Sequence, residues 1–179
     1  MTLTMHAVSV DVFVAMLGDL SKLLDKAAEH ARAEGIDGAT LVGARLAPDM
    51  FDLARQVQIA CDHAKSCTAR LAGQEPPVFE DSEKTLDELK ARIDRTIGYV
   101  SGIDAKSLEG SDVRAITIST PRDFNFEMTG LQLLKDWSLP HFFFHVTTAY
   151  DILRHEGVAI GKQDFLAHAA VFVRPKNPT

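Results

Sequence analysis

The 179-residue chain is 46% hydrophobic and 25% charged, an ordinary globular composition that predicts one domain over residues 1–179. A formal net charge of -6 and the lack of a Lys/Arg cluster argue against nucleic acid as a partner. No apolar run reaches the roughly 20 residues of a membrane span, and the N-terminal stretch lacks the basic flank of a signal peptide. We therefore expect a cytoplasmic protein whose two cysteines, Cys61 and Cys67, stay reduced.

The first predicted element is a long amphipathic helix. Apolar residues recur in steps of three and four between Phe13 and Ala31, while Asp19 falls on the opposite, polar face. Gly35 is the predicted stop signal of this helix. The segment 35–47, GIDGATLVGARLA, is interpreted as a connection that packs against the helices.

Two further helices are predicted on either side of a proline-containing linker. Pro48 suits a helix start, and an apolar stripe then follows over residues 50–71 and is closed by Gly73. Residues 74–83, QEPPVFEDSE, form the linker because two prolines oppose helix. The third, shorter helix is predicted over about residues 82–100.

The hydrophobic period then changes from helical to alternating. VRAITIST and FNFEM flank PRD and predict a short β-hairpin over about residues 113–128. Thr129 is a suitable cap for a fourth helix that ends at Gly157, and the tail 158–179 is expected to pack on the helices or on a partner. The predicted fold is therefore mainly all-α, an up-down four-helix bundle with the hairpin inserted before the fourth helix.

Three histidines form the candidate metal site. His141 and His145 are one turn apart on the fourth helix, so their imidazoles can aim at one point, as a divalent metal requires. His63 borders the apolar stripe of the second helix and is the best third ligand. Cys67 shares its face and is a fourth ligand, a reactive thiol or a small apolar filler. Because His-x-x-x-His often occurs by chance, the spacing alone leaves both metal binding and plain packing open.

Two features beside the histidines affect the fourth helix. Pro140 predicts a kink in a continuous helix, or else a helix that only begins near Leu139 with the proline in its first turn. The three phenylalanines at 142–144 point in three directions around the axis, so the helix is buried on all sides. A helix of a bundle is usually buried in this way by a second subunit, which predicts a homodimer; the alternative is a central position against the crossover connection.

A pocket for a small apolar or aromatic molecule is a further hypothesis. Trp137 and Phe144 would form its walls, and Thr148 and Cys67 would line the same groove. Each side chain also has a plainer interpretation. The two aromatic rings are suited to a core, and the Thr148 hydroxyl can bond back to its own helix.

Four phrases of the chain resemble a bacterial family of unknown function within the DinB/YfiT-like superfamily, which includes metalloenzymes: ARLAPDMFDLARQVQIACDHAK, RLAG, FFFHVTTAYDILRHEGV and GKQDFL. The resemblance runs from the first helix to about Leu166. It implies a dimeric four-helix bundle in which His63, His141 and His145 bind nickel, zinc or a similar ion. The characterised members of the superfamily that this resemblance points to include thiol-dependent transferases and isomerases.

Two functions are compatible with these observations, and the sequence does not decide whether the protein is an enzyme. The first is a metal-dependent thiol transferase or hydrolase whose three histidines hold nickel, zinc, iron or manganese, with Asp62 and Asp136 as conceivable partners that orient an imidazole. The alternative is a metal-free homodimeric helical bundle that acts as a binding or structural module.

Overall fold

The computed structural model describes residues 3–119 and 124–174, and this part of the chain is mainly helical with a small antiparallel sheet of two strands. The elements are α1 Met5–Val8, α2 Val10–Glu34, α3 Gly38–Val42, α4 Leu53–Leu71, α5 Leu86–Ser101, β1 Ala115–Ser119, β2 Asn125–Thr129, α6 Gly130–Gln132, α7 Leu139–His155 and α8 Lys162–Phe165. The described residues also contain three 3₁₀ turns (Ala105–Leu108, Ser111–Val113 and Ala167–Phe172) and a π-helical segment (Leu133–Ser138). The coarse prediction, helices with a hairpin before the last long one, is confirmed.

The four long helices α2, α4, α5 and α7 share one hydrophobic core. α2 packs on α5, and α4 lies between α5 and α7. The apolar stripe predicted for α2 is buried, and the helix ends at Gly35 in the left-handed conformation (φ 66°) that favours glycine. None of the described helices has the length and apolarity needed to cross a bilayer.

Asp19 is buried in the fold, so the prediction that it lies on the polar face of the first long helix was wrong. Its side chain is only 1% exposed and accepts hydrogen bonds from Lys22 Nζ and from the backbone N–H of His168, both at 3.0 Å. The Nδ1 atom of His168 lies 2.5 Å from the same carboxylate. A buried charge needs such partners, and here they anchor the segment after α8 on α2.

Two helices begin later than the sequence predicted, because polar caps rather than apolar stripes fix their starts. α4 begins after Asp52 instead of at Pro48, since the Asp52 carboxylate accepts a hydrogen bond at 2.9 Å from a backbone N–H of the first turn. α5 begins after Thr85 instead of near Ser82, since Thr85 and Glu88 form a reciprocal capping box. The predicted connection 35–47 contains the short helix α3.

The hairpin packs beside the start of the fourth helical stretch. β1 and β2 pair antiparallel with Ile118 opposite Phe126, and the predicted turn at 121–123 lies outside the described residues, as does the end of the tail, 175–179. Thr129 caps α6 as predicted, because its hydroxyl accepts a hydrogen bond from the backbone N–H of Gln132 at 3.3 Å.

The helical path is continuous from α6 to α7 through the π-helical segment. The backbone N–H of Leu139 donates to the carbonyl of Leu134, five residues back, which is the π pattern. Regular α-helix starts again at Leu139 with Pro140 in its first turn, as one of the two predicted alternatives has it, and the widened turn lies directly before it. Such a turn accommodates Pro140, which has no N–H to donate to the preceding turn.

Candidate functional site

The structure brings the three sequence-predicted histidines together. His63 projects from α4 and lies against His141 and His145 of α7, the helix packed beside it. The ring centroids of His63 and His141 are 4.7 Å apart with their planes tilted by 7°, and those of His63 and His145 are 6.1 Å apart with a tilt of 15°. The three imidazoles therefore form one contiguous cluster.

Two of the imidazoles are fixed by oxygen acceptors on Nδ1. His145 Nδ1 lies 2.7 Å from Gln56 Oε1, and the amide of Gln56 is itself oriented because its Nε2 donates to the carbonyl of Phe51 at 3.1 Å. His141 Nδ1 lies 2.7 Å from the backbone carbonyl of Trp137. Because a carbonyl oxygen only accepts, Nδ1 carries a proton in both rings, and in the neutral form of each ring Nε2 is the nitrogen with the lone pair. This is the arrangement in which histidines ligate metals.

The surroundings keep His63 and His145 uncharged at neutral pH. Burial lowers the pKa of His63 to about 3, with further lowering by His141 and His145. Burial also lowers the pKa of His145 to about 4, helped by the neighbouring His141 and by Arg55. Neutral imidazole is the form that binds a metal ion, so these shifts favour ligation over protonation.

Fitness for a metal ion depends on donor chemistry and on ring orientation. Three neutral imidazoles are a suitable donor set for a divalent transition metal. Over residues 3–119 and 124–174, however, no group of three or more His, Cys, Asp or Glu side chains is placed to hold an ion. The His63 ring is stacked nearly parallel to those of His141 and His145, and the in-plane lone pairs of stacked rings do not converge on one point. The three imidazoles are therefore suitable metal ligands in their chemistry, but their present orientation is that of a ring stack.

A small pocket of about 170 Å³ opens beside His63 between α4, β1 and the π-helical segment. Its walls include His63, Cys67, Arg70, Ile118, Trp137 and Ser138. The ring of Trp137 also lies 4.6 Å from that of His141, so the pocket and the histidine cluster adjoin. A larger groove of about 520 Å³ lies against α1 and is lined by none of the three clustered histidines.

The remaining predicted pocket residues divide into two groups. Cys67 and Trp137 line the pocket, but burial raises the pKa of Cys67 to about 12, so its thiol stays protonated at neutral pH. Phe144 and Thr148 do not line it. Phe144 is 59% exposed on the outside of α7, and the Thr148 hydroxyl donates at 2.7 Å to the Phe144 carbonyl, the plainer interpretation of that residue.

The two acidic residues considered as partners of the imidazoles bind elsewhere. Asp62 accepts a hydrogen bond from Arg92, and Asp136 pairs with Lys135. Gln56 takes the orienting role, and its position seven residues before His63, two turns along the same face, was a signal that the sequence offered. The backbone carbonyl that orients His141 has no signature in the sequence.

Acidification is expected to destabilise the metal-free protein. Below about pH 6.5, the ordinary histidine pKa, His63 and His145 are protonated in an unfolded chain. In the folded chain they stay neutral until the pH falls to about 3 for His63 and about 4 for His145. The unfolded state binds more protons in this window, so the free energy of unfolding falls as the pH falls. At pH 5 the loss is about 2 kcal/mol per histidine at most, and less for the partly exposed His63.

Urea denaturation at pH 7 and pH 5 measures this effect, with His63→Gln as the comparison. The variant keeps the other histidines and is expected to lose less stability between the two pH values than the original chain. An identical loss in both proteins would exclude His63 as a source of the pH dependence.

Comparisons with known proteins agree with this architecture. Residues 5–166 match the family described as Domain of unknown function (DUF1993). A crystal structure at 1.83 Å resolution of a DinB family member protein from Shewanella denitrificans is 39% identical, with a TM-score of 0.85 over 97% of this chain and 95% of that chain. No curated protein matches the chain. The chain therefore belongs to the DUF1993 family and is DinB-like in fold.

Proposed function

We propose that this chain is a metal-binding DinB-like protein in which His63, His141 and His145 hold one divalent ion, either nickel, zinc, iron or manganese. The observation that carries the proposal is the pair of oxygen acceptors on Nδ1 of His141 and His145, which leaves both Nε2 atoms free beside a third neutral imidazole. In the same proposal α2, α4, α5 and α7 form an up-down four-helix bundle, and α4 and α7 supply all three ligands.

The His63 ring is the one that must reorient for an ion to bind. Within the described residues its ring nitrogens have no hydrogen-bond partner, whereas His141 and His145 are each held through Nδ1. Rotation about its side-chain torsions therefore breaks the stack with His141 without breaking a described hydrogen bond. Gln56 and the Trp137 carbonyl keep the other two rings in the ligating tautomer.

The activity that this site supports best is thiol transfer or hydrolysis. If His63, His141 and His145 held a divalent ion, that ion would supply Lewis acidity and would lower the pKa of a water or thiol beside it. Cys67 does not supply the nucleophile, because its thiol is buried and protonated at neutral pH. A reacting thiol or water must therefore come from outside the chain, and the adjoining pocket is where it would enter.

Elemental analysis of untagged protein purified without chelator tests the proposal. We expect close to one divalent ion per chain in the original protein and almost none in His141→Ala, because three ligands become two. His155→Ala is the matched control, since His155 is exposed on the same helix and should leave the metal content unchanged. The proposal fails if the original protein stays metal-free after reconstitution, or if His141→Ala keeps its full metal content while folded.

A metal-free homodimeric module is the second candidate, and one observation favours it. Phe144 is 59% exposed near the middle of α7, so a large apolar ring faces outward on a helix whose other sides are covered. We propose that a second copy of the chain covers it. This homodimer is compatible with a metal site. If no metal binds, we propose that the protein acts as a homodimeric binding or structural module.

A further inference from the structure

Among the described residues, the pocket beside the histidines is lined by one Lys or Arg side chain, that of Arg70, together with polar and apolar side chains. Arg70 follows His63 by seven residues, so both side chains lie on one face of α4, two turns apart. Within the described residues the guanidinium makes one hydrogen bond, a long one of 3.4 Å from Nη1 to the Ser66 carbonyl on its own helix. Among residues 3–119 and 124–174, no carboxylate forms a salt bridge with Arg70, whereas the nearby Arg92 pairs with three.

The apolar side of the pocket is built by the hairpin and the π-helical segment. Ile118 of β1 and Trp137 both line it. Phe126, the cross-strand neighbour of Ile118, packs against Trp137 with ring centroids 4.6 Å apart, so the hairpin holds the indole in place. The pocket therefore has a cation at one part of its surface and a fixed apolar wall at another.

One carboxylate also lines the pocket, and its charge is compensated. Asp62 accepts from Lys65 Nζ at 3.1 Å and from an Arg92 Nη at 3.0 Å. Arg70 is thus the group in this pocket whose charge lacks an opposite partner within the described chain. A partly buried guanidinium of this kind is a strong site for an anion, because its planar fork matches two carboxylate oxygens.

We propose that this pocket binds a compact organic carboxylate, with Arg70 holding the carboxylate group and Trp137 and Ile118 covering the apolar part. The inference rests on the proposed function insofar as it places a substrate's reacting group beside His63. A volume of about 170 Å³ favours a compact molecule, since drug-sized ligands occupy pockets of about 300–1,000 Å³. A single cation suits a monoanion better than a phosphate dianion, which needs more donors.

Trp137 is the only tryptophan of the chain, so its fluorescence reports directly on this pocket. The probes are isovalerate, the neutral isovaleramide of nearly the same shape, and inorganic phosphate, each titrated into metal-free protein. We expect isovalerate to change the fluorescence saturably and to bind at least tenfold more tightly than isovaleramide or phosphate. Arg70→Gln should weaken isovalerate binding at least tenfold, whereas Arg95→Gln, an exposed site on α5, should leave it unchanged.

The outcomes separate this inference from the proposed metal function. Equal binding of isovalerate and isovaleramide, or unchanged binding in a folded Arg70→Gln variant, would overturn the carboxylate assignment whatever the metal content. Tighter binding of phosphate than of isovalerate would overturn it as well. If Arg70→Gln does not fold, the comparison between isovalerate and isovaleramide in the original protein still shows whether the pocket recognises a carboxylate. Arg70-dependent binding of isovalerate to a protein that never takes up metal would support the carboxylate pocket and refute the metal site.

Discussion

Phe142→Ala is expected to lower the free energy of unfolding by about 3–5 kcal/mol, the range for truncating a fully buried phenylalanine. The side chain of Phe142 is 0% exposed and meets Phe13 of α2 edge to face, with ring centroids 4.9 Å apart. Removing the ring leaves a cavity where α7 faces α2, between the two turns that carry His141 and His145. Urea denaturation followed by far-ultraviolet circular dichroism measures the change.

Phe144→Ala is the matched control for this prediction. Its ring is 59% exposed, so its removal from a single chain should change the free energy of unfolding by about 0.5 kcal/mol or less. Sedimentation of the same variant tests the proposed homodimer, since loss of Phe144 should weaken any dimer formed through this face. Equal destabilisation by both substitutions in a monomeric protein would contradict the burial described for α7.

Gly130→Ala is expected to destabilise the protein by about 3 kcal/mol or more, because the first residue of α6 passes unusually close to another backbone segment. A Cβ at position 130 would lie 1.9 Å from the carbonyl oxygen of Ser111 and 2.9 Å from Leu71 Cδ2. The Gly130 N–H also donates to the Arg114 carbonyl at 2.9 Å, which holds the two segments together. A backbone atom must therefore move. For a chain of this size we expect the midpoint of thermal unfolding to fall by roughly 6–12 °C.

Gly18→Ala gives the opposite sign and serves as the control. Gly18 lies inside α2, and a Cβ there meets nothing within 4 Å. The substitution should stabilise the protein by about 0.5–1 kcal/mol, because alanine is the better helix former. If Gly130→Ala unfolded at the same temperature as the original chain, the close approach at Ser111 would not exist in solution.

The periodic part of the fold was predictable, and the parts fixed by single polar contacts were not. The stripe between Phe13 and Ala31 predicted α2 because apolar burial repeats along the chain and leaves a pattern. The start of α4 depends on one carboxylate, that of Asp52, and a helix cap has no period to detect. Asp19 was assigned to the surface because its partner His168 lies 149 residues away, beyond the reach of any local pattern.

The candidate site shows the same division. His63, His141 and His145 stood out because the residue type and the spacing of one turn are visible in the sequence. The oxygen atoms that orient two of them come from an ordinary glutamine and from a backbone carbonyl, neither of which the sequence marks as special. The sequence did not mark Arg70 either. Its significance comes from the lack of a carboxylate partner in the described chain, which only the structure reveals.

The π-helical segment has a consequence for how the pocket can vary between related chains. A π turn takes up one residue more than an α-helical turn over about the same rotation, so deleting one residue from 133–138 would restore regular α-helix while the segments on either side keep their relative orientation. The change would fall on the segment itself, which supplies Trp137 and Ser138 to the pocket and the carbonyl that accepts a hydrogen bond from His141 Nδ1. In a related chain with such a deletion we therefore expect the hairpin to stay in place and the pocket wall beside it to change shape.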